Sequence, residues 1–406
     1  MKRLILTILI GAMSFCFWAC ASTKEKTQEE VSEIGGFSED SGENASSEDF
    51  AGELSDSSEV EADESVEAGD DIELPEAEAL DDTVRNAVNG FNWKLYDETG
   101  EDNIFYSAYS IESALAMADL AADGKSKSEI ESALGIDDLQ TFAEQYKLLR
   151  EKETVDTAKI TTANSIWIEK SLELAENADE DFNKPAKFYF DGEFKTVDFK
   201  NNFSAVNSDI SNWVKENTGN LIEDYESSAN SDTVADILNA VYFYGEWQNK
   251  FEADDTYKQD FKGKSATNSV DMMHSDDSSF RYLAECNGIT ALALPYSGSE
   301  IEMDILMSSD EDRDISEAFA TDKADEIFEA LDKADETDIK LTVPKFTMDY
   351  SFDDLKTKLE NLGIKEAFSE SADFSKLAKN LMVTDISHRA RVEVDEEGSR
   401  AAAVTE

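Results

Sequence analysis

Residues 21–82 limit where this chain can fold. The segment is rich in Ser, Glu, Asp, Ala and Gly, is poor in aromatic residues, and holds about 23 acidic residues against 2 lysines. Such a composition cannot bury enough apolar area to offset the conformational entropy lost on folding. We therefore predict an acidic disordered stalk at 21–82 and a folded domain at 83–406.

The first 20 residues resemble an export signal. Two basic residues precede an apolar run, Leu4–Trp18, which is shorter than a typical membrane span. Cys20 becomes the lipidated first residue if the signal is of the bacterial lipoprotein type. Alternatively, 19–21 reads Ala-Cys-Ala, an A-x-A site for ordinary signal peptidase.

We favour lipidation, because a cysteine between an apolar run and a long polar segment is the usual lipoprotein layout. This predicts an exported protein that is anchored at the bacterial cell surface through a lipid on Cys20. Cleavage at the A-x-A site would instead release a soluble secreted protein.

Composition excludes several functional classes. A net charge of −56 argues against nucleic acid, which requires basic patches. Cys286 is the only cysteine of the folded region, so no disulfide is expected there. Two histidines, His274 and His388, are too few for a histidine-rich metal site, and no cofactor is predicted. No hydrolase, P-loop or dinucleotide-binding motif is present, so the chain is not expected to be an enzyme.

The folded region mixes helical and strand-like periodicities without a regular β-α repeat, which indicates an α+β fold. Helices are predicted at 84–95, 111–121, 126–135, 203–215 and 351–362. Strands are predicted at 103–106, 158–168, 193–199, 232–244, 268–273, 290–295, 301–307, 338–347 and 383–397.

Segments spread over this region resemble the signatures of the serpin family. Asn103–Ile111 is similar to N-x-F-x-S-P-x-S-I, with Ala108 where proline is usual. Further segments follow in the family's order: Asn164–Trp167, Trp213–Gly219, Asn239–Trp247 with Phe251, Met272–His274, Leu294–Tyr296, Val343–Phe346, and His388 leading to Asp395–Ala403. Each piece is weak alone, but the ordered set is specific.

The resemblance implies a multi-helix bundle packed on a large central mixed β-sheet, with smaller sheets. It also implies a monomeric protease inhibitor without catalytic residues. In such inhibitors a serine protease, or a papain-like cysteine protease, cleaves an exposed loop and is acylated. The loop then inserts into the large sheet as a new strand.

The resemblance places the hinge of this loop at the end of the chain. The hinge residues are Glu396, Glu397, Gly398, Ser399, Arg400, Ala401, Ala402, Ala403, Val404 and Thr405. In a strand, Ser399, Ala401, Ala403 and Thr405 share one face, and all four are small enough to slide into a sheet. Arg400 falls on the opposite face, where it can reach water.

The resemblance also implies a polar cluster beneath the sheet, called the shutter. The alternation in 383–397 turns Ile386, His388, Ala390, Val392 and Val394 inward, so His388 is a buried polar group that needs partners. The family places such a histidine with Ser107, Ser110, Asn164 and Asn239. A satisfied core histidine is an alternative interpretation of the same residues, and it is nearly the same claim.

Family members continue for a few tens of residues beyond the position of Glu406. We therefore expect the domain to be truncated within the loop, with the cleaved bond absent from this chain. Two alternatives remain open. In the first, the parent protein is a non-inhibitory serpin that serves as a binding module. In the second, the chain is an inactive remnant.

Overall fold

The computed structural model describes residues 7–9 and 74–405, except 100–102, 153, 156, 264–265, 311–312, 314 and 353. The helices are α1 Thr83–Thr99, α2 Ala108–Ala121, α3 Gly124–Leu134, α4 Leu139–Lys152, α5 Lys184–Phe190, α6 Phe199–Asn217, α7 Ile315–Ala318, α8 Ala324–Asp332 and α9 Leu355–Asn361. The strands are β1 Thr7–Leu9, β2 Thr154–Val155, β3 Ala158–Glu169, β4 Gly192–Val197, β5 Ala235–Glu246, β6 Thr256–Lys262, β7 Thr267–Cys286, β8 Ile289–Pro295, β9 Glu302–Ser308, β10 Glu336–Pro344, β11 Phe346–Ser351, β12 His388–Val394 and β13 Gly398–Thr405.

The strands form two sheets. The larger sheet has the order β11-β12-β13-β5-β3-β2, with β4 paired to β3. The smaller sheet has the order β1-β9-β8-β7-β10, with β6 paired to β7. Pairing is antiparallel except between β3 and β4 and between β1 and β9. Helices packed against a large mixed sheet and a second sheet confirm the predicted α+β class.

Two hydrophobic clusters cover opposite faces of the larger sheet. The main core joins α1–α5, both sheets and the inner face of the central strands. A smaller cluster lies on the outer face, where Phe199, Ile210 and Trp213 of α6 pack against the sheet. α2 is buried along almost its whole length and contacts both β5 and β13, so it lies directly beneath the central strands.

Two predictions near the start of the domain were wrong. Residues 103–106 are not a strand, because they have no ladder partner and lead straight into α2. The helix predicted from residue 126 does not begin there. The helix begins at Gly124, and the side chain of Asp123 accepts its first N–H. Glu129 instead accepts N–H bonds from Lys365 and Glu366.

Two predicted strands have different boundaries in the structure, because strands extend only as far as they have a hydrogen-bonded partner. The predicted strand 338–347 is two strands, β10 and β11, which belong to different sheets. The predicted strand 383–397 shortens to β12, because no strand in the described part of the chain pairs with residues 383–387. Helices α4, α5, α7 and α8 were not predicted.

The packed region begins before the boundary that the sequence analysis placed at 83. Tyr189 Oη donates to the Pro75 carbonyl (2.9 Å). The side chain of Gln145 accepts from the Asp81 N–H (2.9 Å) and donates to the Ala79 carbonyl (3.0 Å). The end of the predicted stalk, 74–82, is thus held against α4 and α5. Within the described ranges, no helix is long and apolar enough to cross a membrane.

Candidate functional site

The predicted loop hinge forms the central strand of the larger sheet. β13 lies between β12 and β5 and is antiparallel to both. The strand ends with Thr405 opposite His388 on one side and Asn239 on the other. Both edges of the segment are therefore satisfied by ladder hydrogen bonds.

The two faces of β13 separate as the alternation predicts. Ala401 and Ala403 join the main core, whereas Ala402 and Val404 join the smaller cluster under α6. Arg400 is the exposed member of the strand. Small side chains suit this position because the strand lies in a close-packed interior on both faces.

Gly398 begins the strand at a point of close backbone approach. A Cβ atom at this position would overlap the carbonyl oxygen of Gly245 and lie 2.9 Å from the Cα of Glu246. Glycine is therefore required for β13 to pair with β5 from its first residue. Gly245 is confined in turn by the rings of Phe243 and Tyr296.

Two ion pairs hold the turn that leads into β13. Lys250 Nζ lies 2.6 Å from Glu397 Oε2, and Lys345 Nζ lies 2.6 Å from Glu396 Oε2. These hydrogen bonds raise the pKa of both lysines above the ordinary value. Trp247 Nε1 donates to the Asp395 carbonyl (2.9 Å). The acidic hinge residues are thus anchored by two lysines that the sequence analysis did not single out.

The five predicted shutter residues lie together beneath the sheet, and a directed chain of hydrogen bonds starts at His388. Its Nε2 accepts from the backbone N–H of Ser107 (3.1 Å), so the ring proton is assigned to Nδ1. Nδ1 donates to Thr405 Oγ1 (2.8 Å), and the Thr405 hydroxyl donates to Ser110 Oγ (3.1 Å). Ser110 then donates to Asn239 Oδ1 (2.6 Å). Thr405 therefore joins β13 to the cluster.

Asn239 extends this network to two further elements. Its Nδ2 donates to Asn164 Oδ1 on β3 (2.9 Å) and to Ser113 Oγ on α2 (2.7 Å). Asn164 Nδ2 donates to the Phe190 carbonyl at the end of α5 (2.5 Å). The cluster connects four strands with two helices. Sequence reasoning missed Ser113, although it lies one helical turn after Ser110 and faces the same way.

His388 is a neutral structural group in this arrangement. Burial lowers the pKa of His388 from 6.5 to about 3. Its neighbours are the Ser107 N–H and the Thr405 hydroxyl, which are themselves buried. A general base must be able to reach a substrate proton, and this imidazole is enclosed on every side, so it is not placed for catalysis.

An open cleft with a cavity volume of about 150 Å³ continues the line of β13 beyond Thr405. One wall is Val234–Ile237, where β5 has β3 on one side and, among the described residues, no strand on the other. The opposite wall is Met382–Ile386. Leu115 and Leu377 contribute to an apolar lining. The cleft is therefore a gap between the start of β5 and the segment that leads into β12.

Cys20, the predicted lipidation site, lies outside the described residues. Among the residues that are described, no group of three or more His, Cys, Asp or Glu side chains is placed to hold a metal ion. The arrangement of ordered backbone, small side chains and a buried polar cluster is suited to accepting a strand.

Comparisons with known proteins agree with this geometry. The sequence model of the serpin family, described as serine protease inhibitor, matches residues 86–406. An uncharacterized serpin-like protein from Thermococcus kodakarensis is 33% identical over 81% of this chain and 76% of its own length. Human neuroserpin is 32% identical over 76% of this chain and 77% of its own.

Solved structures are similar as well. A cleaved serpin, Serpin 42Da, is 27% identical with a TM-score of 0.70 and covers 79% of this chain and 87% of its own. The thermophilic serpin tengpin in its latent state is 26% identical with a TM-score of 0.72, over 82% of this chain and 90% of its own. This chain therefore belongs to the serpin family of serine protease inhibitors and is not an enzyme.

Proposed function

We propose that the protein traps serine proteases by cleavage of its loop, formation of an acyl-enzyme and insertion of the loop strand. The observation that carries this proposal is β13, whose small residues fill the centre of the larger sheet between β12 and β5. A segment that has to enter a sheet needs such residues on both covered faces.

The energetics favour insertion once the loop is free to move. Each ladder hydrogen bond contributes about 1 kcal/mol net, and β13 has a partner strand on both sides. Thr405 adds side-chain bonds to His388 and Ser110 that exist only when the strand is in place. The cleft beyond Thr405 offers room for further loop residues.

The cleaved and latent states named for two of the similar structures support this proposal. Insertion of a cleaved loop is the mechanism that the family resemblance implies. The protease that would be trapped is a serine endopeptidase, with papain-like cysteine proteases as a second class.

The decisive experiment uses the protein encoded by the complete open reading frame. We expect it to form an SDS-resistant complex with at least one member of a panel of serine and cysteine proteases. Ala403→Asp places a charge on the buried face of β13, and an unpaired buried charge is costly. This variant should be cleaved without forming the complex, whereas Ala403→Ser should still form it.

Cleavage of the wild-type protein without any complex would contradict inhibition. That result would favour the alternative of a serpin acting as a binding module. Equal complex yields from Ala403→Asp and Ala403→Ser would contradict the role of strand insertion, even if a complex formed.

We further propose that the protein is exported, monomeric and anchored at the bacterial cell surface through a lipid on Cys20. The apolar run before Cys20 and the polar segment after it support this. Metabolic labelling with a radioactive fatty acid should mark the wild-type protein but not Cys20→Ser. Unlabelled wild-type protein in the culture medium would instead indicate cleavage at the A-x-A site.

A further inference from the structure

Arg400 is the only charged residue of β13, and it occupies the exposed position of the strand. Its side chain is 49% exposed, whereas Ala402 and Val404 on the same face are buried beneath α6. A charge at either of those two positions would be desolvated. Position 400 is therefore the place on this strand where a charge keeps contact with water.

Two carboxylates of the neighbouring strand and its following turn face this arginine. Arg400 Nη2 lies 3.6 Å from Glu393 Oε2 and 3.7 Å from Asp395 Oδ2. Glu393 is the register partner of Arg400, and its other oxygen lies 3.0 Å from Arg391 Nη2. The chain carries a net charge of −56, so a further acid at this place would add to existing repulsion.

These contacts distinguish the observed register from shifted ones. A shift of two residues deeper into the sheet would bring Arg400 opposite Arg391 and into the place of Ala402 beneath α6. A shift of two residues the other way would bring Arg400 to the place of Gly398, where a Cβ atom overlaps the Gly245 carbonyl. A shift of one residue would exchange the two faces of the strand.

We propose that Arg400 is a positioning residue for strand insertion, whose charge selects the register of the loop strand and sets the depth at which it stops. The inference rests on the proposed function, since register affects inhibition only if the strand inserts after cleavage. The pairing with Glu393 and Asp395 forms only in the inserted state, so it favours that state over the free loop.

The first test uses the 406-residue chain without a protease, and it measures apparent melting temperature. At about 20 mM NaCl we expect Arg400→Glu to melt about 2–4 °C below the wild type, with Arg400→Gln between them. The charge swap Arg400→Glu with Glu393→Arg should recover most of the loss. At about 1 M NaCl the differences should shrink, because exposed charges are screened over about 3 Å.

Equal melting temperatures of Arg400→Glu and Arg400→Gln at low salt would overturn the proposal, as would a charge swap that recovers none of the lost melting temperature.

The second test uses the complete protein and measures the number of inhibitor molecules consumed per trapped protease. We expect Arg400→Glu to raise this number by about threefold or more, and the swap to lower it again.

The two proposals fail in different ways. If the wild-type protein forms no complex with any protease, inhibition is contradicted, and the melting experiment alone decides the pairing of Arg400. If the wild type traps a protease but Arg400→Glu does so with unchanged stoichiometry, inhibition stands and the positioning role is wrong.

Discussion

Burial decides the charge of His388, and this makes the histidine a source of pH-dependent stability. The pKa of His388 is lowered to about 3 in the folded protein, against 6.5 for an unfolded chain. Between these values the unfolded chain binds a proton that the folded protein does not. The stabilisation from the neutral ring is complete above pH 6.5 and is lost as the pH falls towards 3.

We expect His388→Gln to remove this dependence. At pH 7.5 the variant should be less stable, by about 1–3 kcal/mol, because a glutamine amide does not reproduce the placement of the two ring nitrogens that contact the Ser107 N–H and the Thr405 hydroxyl. Below pH 6.5 the gap should close by up to about 1.4 kcal/mol per pH unit. Urea unfolding at several pH values measures this, and a gap that stays constant with pH would contradict it.

The same substitution also bears on the shutter role. His388 connects β12 with β13 and α2, so its loss should weaken the contacts that hold the central strands in place. In the complete protein, replacement of His388 by an apolar residue should speed spontaneous loop insertion or polymerisation. Native gel electrophoresis after mild heating would show this, and unchanged latency and polymer yield would count against the role.

Asp119 has the opposite pH dependence. Burial raises the pKa of Asp119 from 3.8 to about 7, although Lys127 lies 3.1 Å away and lowers it. The unfolded chain therefore loses this proton before the folded protein does. Stability from the protonated carboxyl is complete below pH 3.8 and is lost as the pH rises to about 7.

Asp119→Asn mimics the protonated acid and should remove this loss. We expect the variant and the wild type to be similar near pH 4 and the variant to be more stable by pH 8. Urea unfolding gives the comparison, with Asp137→Asn, on an exposed turn, as the matched control. The measured quantity is the stability of Asp119→Asn minus that of the wild type. If this difference is smaller at pH 8 than at pH 4, the ionisation argument is wrong.

Among the secondary-structure elements, β13 needs a glycine at its first residue, Gly398, to pair with β5. Gly398→Ala would place a Cβ atom against the Gly245 carbonyl, so the strand or its neighbour must shift. Overpacking of this kind costs about 1–3 kcal/mol, and we expect a loss of stability in that range by urea unfolding.

Gly90→Ala provides the matched control for that loss. Gly90 lies inside α1 with no atom within 4 Å of an added Cβ, so its replacement should stabilise the protein by about 0.5–1 kcal/mol. If both substitutions change stability alike, the effect of Gly398→Ala comes from glycine removal in general and the close approach is not its cause.

At the scale of the whole molecule, negative charge should oppose compactness. The chain has 92 acidic and 36 basic residues, which repel on average in the folded state. The Debye length falls from about 30 Å at 0.01 M to about 10 Å at 0.1 M salt. We therefore expect the free energy of unfolding to rise with NaCl between these concentrations, and a flat or falling value would contradict the expectation.

Some structural features could be predicted from the sequence, either because they depend on a local pattern or because the motifs resemble those of a known family. The alternation in β12 fixed which side of the strand carries His388, and the structure shows the same burial pattern. The small residues of 399–405 indicated a segment able to enter a sheet. The ordered signatures, such as Asn239–Trp247, identified the family, and with it the sheet and the shutter set.

Other features depend on pairings between distant parts of the chain. Thr405 meets Ser110 across 295 positions, and Ser107 meets His388 across 281. No local pattern encodes such contacts. Only the tertiary structure decided three features: the hydrogen bonds that link β13 to the shutter, the choice of the lysines that pair with Glu396 and Glu397, and the residues at which β12 begins and ends. The sequence by itself determined the family and which side chains could face inward. The fold decided which strand lies in the centre of the sheet and in which register, because a ladder hydrogen bond forms only between segments that the whole chain brings together.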